Sequence, residues 1–313
     1  MGYERQLAAE PAAEHFLKNC IPSDVEFKDS TGRVLSLKQV IKKIRDAQLL
    51  FDHGENEATM WDRSQRTSEY SSHKKREELR ALIVAELIQK ERLDNDEEIE
   101  LGTGGGRPKN PVRSDRVAVL LTGLPASGKS SVVAKVAEHI GAYVVDPDYA
   151  KRKFPEFDGT TMGASLVHAE SMAVTLGKEY EGINLWQALV DGGINLIRPM
   201  VGDEQSKVDL IRDDLIALGY KVHLTTIELD REYASERALH RFLKTDRYVS
   251  LSYIFDDCAN DSSLVYYRAR IDATRKDKSA WTSVGIISTA GAVPRYVDSW
   301  GKDNPAELFR EAE

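Results

Sequence analysis

The sequence predicts an α/β fold: a parallel sheet with helices on both faces, preceded by a small helical N-terminal region. Three observations carry that expectation. From residue 114 onward, strand-length apolar runs alternate with amphipathic helical stretches, the pattern of βαβ units. A glycine-rich turn, "GLPASGKSS" (123–131), joins the first run to the first helical stretch. Residues 1–100 show helical periodicity and no strand-like run.

Taken in order, "SLKQVIKKIRDAQLLF" (36–51) repeats Leu37, Val40, Ile41, Ile44, Leu49 and Leu50 at helical spacing. "HKKREELRALIVAELIQKERL" (73–93) does the same with Leu79, Leu82, Ile83, Leu87 and Ile88. The stretch between them is polar, with Trp61 and Tyr70 as anchors. "DNDEEIELGTGGGRPKNPVR" (94–113) passes from acidic to glycine-rich to Pro/Lys/Asn/Arg, which is linker composition. Residues 101–113 are therefore expected to tether the helical region 1–100 to a second domain, 114–313. The Gly-x-Gly-x-Gly at 102–106 has no apolar strand before it and no amphipathic helix after it, so it is no dinucleotide fingerprint.

In the second domain "RVAVLLTG" (116–123) reads as a buried strand and "SSVVAKVAEHI" (130–140) as a helix closed by Gly141. "AYVVDPD" (142–148) is a second strand, followed by a long helical stretch over about 165–190. Then come the strand "INLIRPM" (194–200), the helix "EQSKVDLIRDDLIAL" (204–218), the strand "YKVHLTTIEL" (220–229) and the helix "REYASERALHRFLKT" (231–245).

The bulk numbers narrow the function. The 313 residues carry a formal net charge of −8, which gains little from a phosphate backbone, so no nucleic-acid partner is expected. Two cysteines, Cys20 and Cys258, are far apart and lack metal spacing, which points to a reducing compartment without disulfides. No apolar run is long enough for a membrane span and no signal-peptide core opens the chain. The expectation is a cytoplasmic protein without a membrane partner; delivery as a secreted effector stays open.

Gly123-Leu124-Pro125-Ala126-Ser127-Gly128-Lys129-Ser130 fits G-x-x-x-x-G-K-[S/T] between a strand and a helix, the setting of a P-loop. Gly123 and Gly128 let the backbone curl so that the N–H groups of 126–131, beyond Pro125, face phosphate oxygens at a helix N-terminus. Lys129 places a cation on the β and γ phosphates, Ser130 offers a hydroxyl to Mg²⁺, and Ser131 follows on the same turn. ATP or GTP with Mg²⁺ is the expected ligand.

A phosphotransferase also needs an acceptor-side base and cations for the moving phosphoryl. "VVDPDYAKRKFPEF" (144–157) ends the second strand in two aspartates. Asp148 can accept a proton, while Asp146 can hold metal-bound water or simply the turn. Arg237 and Arg241, four apart on one helix face, and Arg247 beyond them can reach back over the phosphates.

In order along the chain, "GLPASGKSS", "VVDPDYAKRKFPEFDG", "VHAESMAVTL", "GINLI", "LGYKVHLTTIELDREYASERALHR", "DRYVSLSYI" and "ISTAGAVPRYVD" resemble the zeta toxins. These are P-loop kinases of toxin–antitoxin systems, and the resemblance spans roughly 115–300. It implies a P-loop kinase-type sheet and transfer of a γ-phosphate to a hydroxyl of UDP-N-acetylglucosamine, with an antitoxin as partner. Relatives among secreted effectors phosphorylate nicotinamide dinucleotides instead. By position the resemblance makes Lys129 and Ser130 the loop lysine and metal-side hydroxyl, Asp148 the base, and Arg241 and Arg247 the arginines on the transferred phosphate. The family's acidic residue, Gly-Thr and arginine after the third strand are missing. Pro199, Met200 and Val201 stand there, with Asp203 near the arginine's place. His168 and Glu170 are candidate replacement contacts to a nucleotide-type acceptor, the alternative being a helix surface. A switch-type NTPase is the competing reading, but no acidic residue ends "INLIRP" to hold Mg²⁺. Residues 1–100 are expected to be either an element that acts on the kinase in cis or a packing extension.

Overall fold

Strand β1 (Val117–Thr122) is apolar but for its last residue, and every residue after the first is buried. A strand buried on both faces requires cover on both sides. Around it lie β2 (Tyr143–Val144), β3 (Leu196–Met200), β4 (Lys221–Glu228), β5 (Ser283–Ser288) and β6 (Arg295–Gly301), in the order β2-β3-β1-β4-β5-β6. All neighbouring pairs are parallel except β5 with β6; Ala118 of β1 sits across from Leu196 of β3 and Val222 of β4. The expected parallel sheet is thus present, with one antiparallel edge strand added. No residue of that edge is fully buried, and its polar composition hides it from an apolar-run search. The computed structural model of the chain describes residues 6–54, 58–158, 161–275 and 279–311.

The helices are α1 (Glu10–Asn19), α2 (Leu37–Gly54), α3 (His73–Gln89), α4 (Lys129–Ile140), α5 (Pro147–Lys151), α6 (Gly163–Leu166), α7 (His168–Leu176), α8 (Leu185–Asp191), α9 (Gln205–Ala217), α10 (Arg231–Thr245) and α11 (Asp261–Arg275). After β1 the chain crosses to the β2 side, and after β3 it returns past β1 to the β4 side. Right-handed crossovers therefore place α4 on one face, against β1, β2 and β3, and α9 and α11 on the other, against β1, β4 and β5. The carboxyl ends of the strands beside that reversal are where open α/β sheets hold ligands.

The single helix expected over about 165–190 is three helices, α6 to α8. Gly177 ends α7 in the left-handed region (φ 74°), and the Asn184 side chain opens α8 by accepting from the Gln187 N–H.

The N-terminal region is not a tethered appendage. Leu79, Ile83, Val84 and Leu87 of α3 belong to the same core as β1 and α4. α1 and α2 form a second core with α10 and the turn Tyr253–Cys258, where Phe16 meets Phe255 edge-on at 5.6 Å. Leu37, Leu49, Leu50 and Leu82 stay exposed, so the buried helix faces are narrower than the periodicity implies.

Residues 101–113, expected as a linker, run as a packed strap. Gly104, Gly105 and Gly106 are buried; the Gly106 N–H donates to the Leu87 carbonyl (2.9 Å) and its carbonyl accepts from the Val144 N–H (2.8 Å). A Cβ on Gly105 would lie 2.3 Å from the Lys90 carbonyl oxygen, so glycine here serves close approach, not flexibility. The buried Lys153 ammonium fastens the strap through Glu86 (2.7 Å) and the carbonyls of Glu100 and Thr103 (2.9 Å each). Cys20 and Cys258 are buried and unbridged. Among the described residues no helix is long and apolar enough to cross a membrane.

Candidate active site

The turn between β1 and α4 is built for phosphate. Gly128 caps α4 with φ 83°, a left-handed conformation that suits glycine, and α4 begins at Lys129 with its first N–H groups directed at the turn. The Thr289 hydroxyl holds the Ser127 carbonyl at 2.6 Å. The Ser127 hydroxyl is fully buried without a hydrogen-bond partner, an acceptor-seeking group at the floor of the loop. Lys129 Nζ donates to the carbonyls of Gly123 and Leu124 at 2.6 Å each, and burial lowers its ammonium to about 8. Ser130 is exposed at the helix start, while the Ser131 hydroxyl donates back to the Gly128 carbonyl (3.0 Å).

One cleft of about 690 Å³ runs from this loop across the carboxyl end of β3. It brings together Pro125–Ser130 with Asp146, Asp148, His168, Asp203 and Arg241, while Gly123 of the loop and Ser131 in the first turn of α4 do not line it. A second cleft of about 750 Å³ lies beside Val117 and Lys221, the first residues of β1 and β4. That is the end of the sheet opposite to ligand sites in this architecture.

The two aspartates have separate positions. Asp146 is the N-cap of α5, accepting from the Asp148 N–H at 2.9 Å. Burial, with the Asp148 charge beside it, pushes its carboxyl up to about 7. The Asp148 side chain is 62% exposed in the cleft and pairs with Lys151 at 2.7 Å. The Lys151 ammonium holds its carboxyl well below the usual carboxylate range.

Arg237 donates to the Thr289 carbonyl (2.8 Å) and lines the cleft with Arg241, as helix spacing implied. Arg247 stands back from the cleft wall. It stacks over Phe157 and pairs with Glu97, which also takes two hydrogen bonds from Arg152 (2.9 and 3.0 Å). The acids expected to be linker chemistry thus border the phosphate site. Asp96 joins the cleft beside Ser130, raised by burial, and one of its carboxylate oxygens is buried with no hydrogen bond, facing the Arg92 guanidinium at 3.8 Å.

That oxygen, without a hydrogen bond, bears on Mg²⁺. A hard cation bound together with phosphates takes only one or two protein oxygens, and the Ser130 hydroxyl and Asp96 carboxylate are such a pair. Among the described residues no group of three or more His, Cys, Asp or Glu side chains is placed to hold a metal ion.

Of the acceptor candidates, His168 lines the cleft with a neutral imidazole, lowered to about 4 by partial burial and the Lys151 charge. Asp203 lines it too, accepting from the Tyr253 hydroxyl at 3.3 Å. Glu170 does not. It is fully buried on the α3 side, held by Arg76, Arg80 and Thr59 of the N-terminal region. Sequence reasoning did not single out the cleft residues Asp96, Lys151, Tyr253 and Arg198. For Arg198 a signal existed, a charge breaking the apolar run "INLIRPM".

The family model described as zeta toxin matches residues 104–270, more than half of the chain. Comparison with curated proteins gives no match. Among solved structures, a structure of the PezAT chromosomal toxin–antitoxin system of Streptococcus pneumoniae is 14% identical, covering 76% of this chain and 86% of that one, with a TM-score of 0.45. The AvrRxo1-ORF1:-ORF2 complex is 16% identical over 79% of this chain and 73% of that one, TM-score 0.45. A gluconokinase from Sinorhizobium meliloti 1021 is 14% identical over 57% and 86%, TM-score 0.29.

Proposed function

We propose that this chain, which belongs to the zeta toxin family, transfers the γ-phosphoryl group of ATP or GTP to a hydroxyl of a small nucleotide-type acceptor and acts as a toxin. The observation that carries the reading is the meeting of the P-loop, Asp148 and Arg241 in one cleft. The discriminating group is Asp148, since transfer to a hydroxyl calls for an acceptor-side base, whereas an arginine over the phosphates serves a kinase and a hydrolytic switch alike.

The roles follow from the local chemistry. Lys129 exchanges two carbonyls for phosphate oxygens, and its partly desolvated charge acts more strongly there than in water. Ser130 and Asp96 would hold Mg²⁺, which would supply charge neutralisation on the phosphates. Asp148, kept ionised by Lys151, accepts the hydrogen bond and then the proton of the acceptor hydroxyl. Arg241 faces the charge on the moving phosphoryl, and Arg247 joins it on release from Glu97. Asp146 fixes the Asp148 backbone through its cap, so its part is positioning. Pro199, Met200 and Val201 give the acceptor side an apolar wall, so UDP-N-acetylglucosamine and a nicotinamide dinucleotide are acceptors to compare rather than assume. The Arg247–Glu97 pair supports reading the N-terminal region as an element that acts on the site in cis, beside any separate antitoxin.

Incubating the full chain with nucleotide, Mg²⁺ and a metabolite extract, then following phosphate gain by mass spectrometry, tests the reading. Asp148→Asn should abolish transfer and leave nucleotide binding intact. Release of free phosphate alone, or undiminished transfer by a folded Asp148→Asn protein, counts against it.

A further inference from the structure

The β3 wall of the cleft carries a cation that phosphate handling does not account for. Arg198 follows Leu196 and Ile197, both fully buried, and pairs in register with Leu120 of β1. Its half-buried side chain lines the cleft that holds Lys129 and Asp148. Trp186 of α8 backs it, with the guanidinium carbon 5.3 Å from the ring centroid. Met172, Leu176, Pro199 and Met200 supply apolar surroundings.

The other cations near the cleft mostly have work. Arg152 and Arg247 share Glu97, Arg237 holds the Thr289 carbonyl, and Lys151 holds Asp148. Arg198 has neither a carboxylate nor a carbonyl partner among the described residues; its guanidinium lies over the face of Trp186. A guanidinium carries five donors in a planar fork, and drawing it out of water without acceptors is unfavourable. Trp186 can offset part of that through its ring face but cannot accept the in-plane N–H bonds. The donors therefore stand ready for oxygens brought by a ligand.

We propose that Arg198 is the acceptor-side anion grip: the acceptor already carries a phosphate or diphosphate, which Arg198 binds in addition to the hydroxyl presented to Asp148. The assignment rests on the kinase reading of this cleft. In the transfer, the bond from the γ-phosphorus to its bridging oxygen breaks, the bond to the acceptor oxygen forms, and the hydroxyl proton goes to Asp148. Arg198 touches only the pre-existing phosphate and selects which hydroxyl compounds are held.

The test uses the full chain, ATP and Mg²⁺ with a small-molecule extract split in two, one half treated with a nucleotide pyrophosphatase/phosphodiesterase together with alkaline phosphatase, so that diphosphate diesters as well as monoesters are removed, both enzymes then being filtered out. The untreated half should yield a compound that gains phosphate, and the treated half none. With that compound purified, Arg198→Met should raise its KM about 100-fold, the scale of a lost bidentate charge-assisted contact. The KM for ATP should stay within about twofold, which also shows that the variant folds. Arg198→Lys, keeping charge but not the fork, should fall between the two. An acceptor equally good after phosphatase treatment, including one gripped through a carboxylate, overturns the proposal, as does an unchanged acceptor KM in Arg198→Met. Transfer to nothing in either half overturns the kinase reading instead, and the assignment falls with it.

Discussion

Replacing Glu170 by glutamine takes one negative charge out of a buried cluster that holds two arginines. Arg76 is 1% exposed and Glu170 0%; Arg76 Nε and Arg80 Nε donate to Glu170 at 2.9 and 3.0 Å, and the Thr59 hydroxyl donates at 2.6 Å. Removing one partner of a buried ion pair costs about 3–5 kcal/mol, because the remaining charge stays desolvated. Here Arg76 keeps Glu156 and Arg80 keeps Glu77, so the lower end, about 3 kcal/mol, is expected. With a urea slope of about 3 kcal/mol per molar, the unfolding midpoint should fall by about 1 M. The pH dependence has a definite sign. Burial raises the Glu170 carboxyl, but the Arg76 hydrogen bonds and charge outweigh it and hold it below its ordinary value. Its contribution is therefore complete above the unfolded value and is lost as pH falls through the lower folded one, a component the Glu170→Gln variant should lack. Urea melts of both proteins from pH 7 to 3 measure this. A midpoint shift below about 0.3 M at unchanged slope would refute the reasoning. A raised acceptor KM with stability intact would return Glu170 to the acceptor site.

Two further predictions concern the same framework. Glu97→Gln should free Arg247 and Arg152 and raise the phosphoryl-transfer rate by up to about fivefold, the worth of a partly exposed ion pair; a lower rate would show that Glu97 holds Arg247 in its working place. His223 is 4% exposed, bonded to the Ser283 hydroxyl at 2.7 Å, and lowered by burial to about 4. Its stabilisation should be complete above about pH 6.5 and shrink by about 3 kcal/mol on descending to pH 4. Urea midpoints over that range, compared with His223→Gln, check this, and a wild-type profile as flat as the variant's would contradict it.

Local chemistry was legible in the sequence, and long-range chemistry was not. The P-loop and the Asp146/Asp148 turn each lie within a few residues, so spacing alone conveys their geometry. His168 and Glu170 look like a pair in "VHAES", yet two steps along a helix turn a side chain by about 200°. One accordingly meets the cleft and the other meets α3. Glu97 and Arg247 are 150 residues apart, and no period or composition ties them. The glycines at 104–106 mislead for a physical reason: a residue without Cβ serves a flexible tether and a tight backbone crossing equally well. Arg198 was visible as a charge in a strand, but its meaning lies in the partners it lacks, which only the assembled cleft reveals.

The strap through Gly106 has a bearing on how this protein can be divided. Because the Val144 amide is spent on Gly106 and the Tyr143 hydroxyl on the Ile88 carbonyl (2.8 Å), the outermost strand of the sheet is hemmed by residues that precede the P-loop. A version trimmed back to residue 114 bares that margin and strands the Lys153 ammonium without its three acceptors. Such an edge is a template for sticking to another copy. The phosphate-handling half is therefore not a cassette that can be cut out and shuffled on its own; α3 and the strap must travel with it.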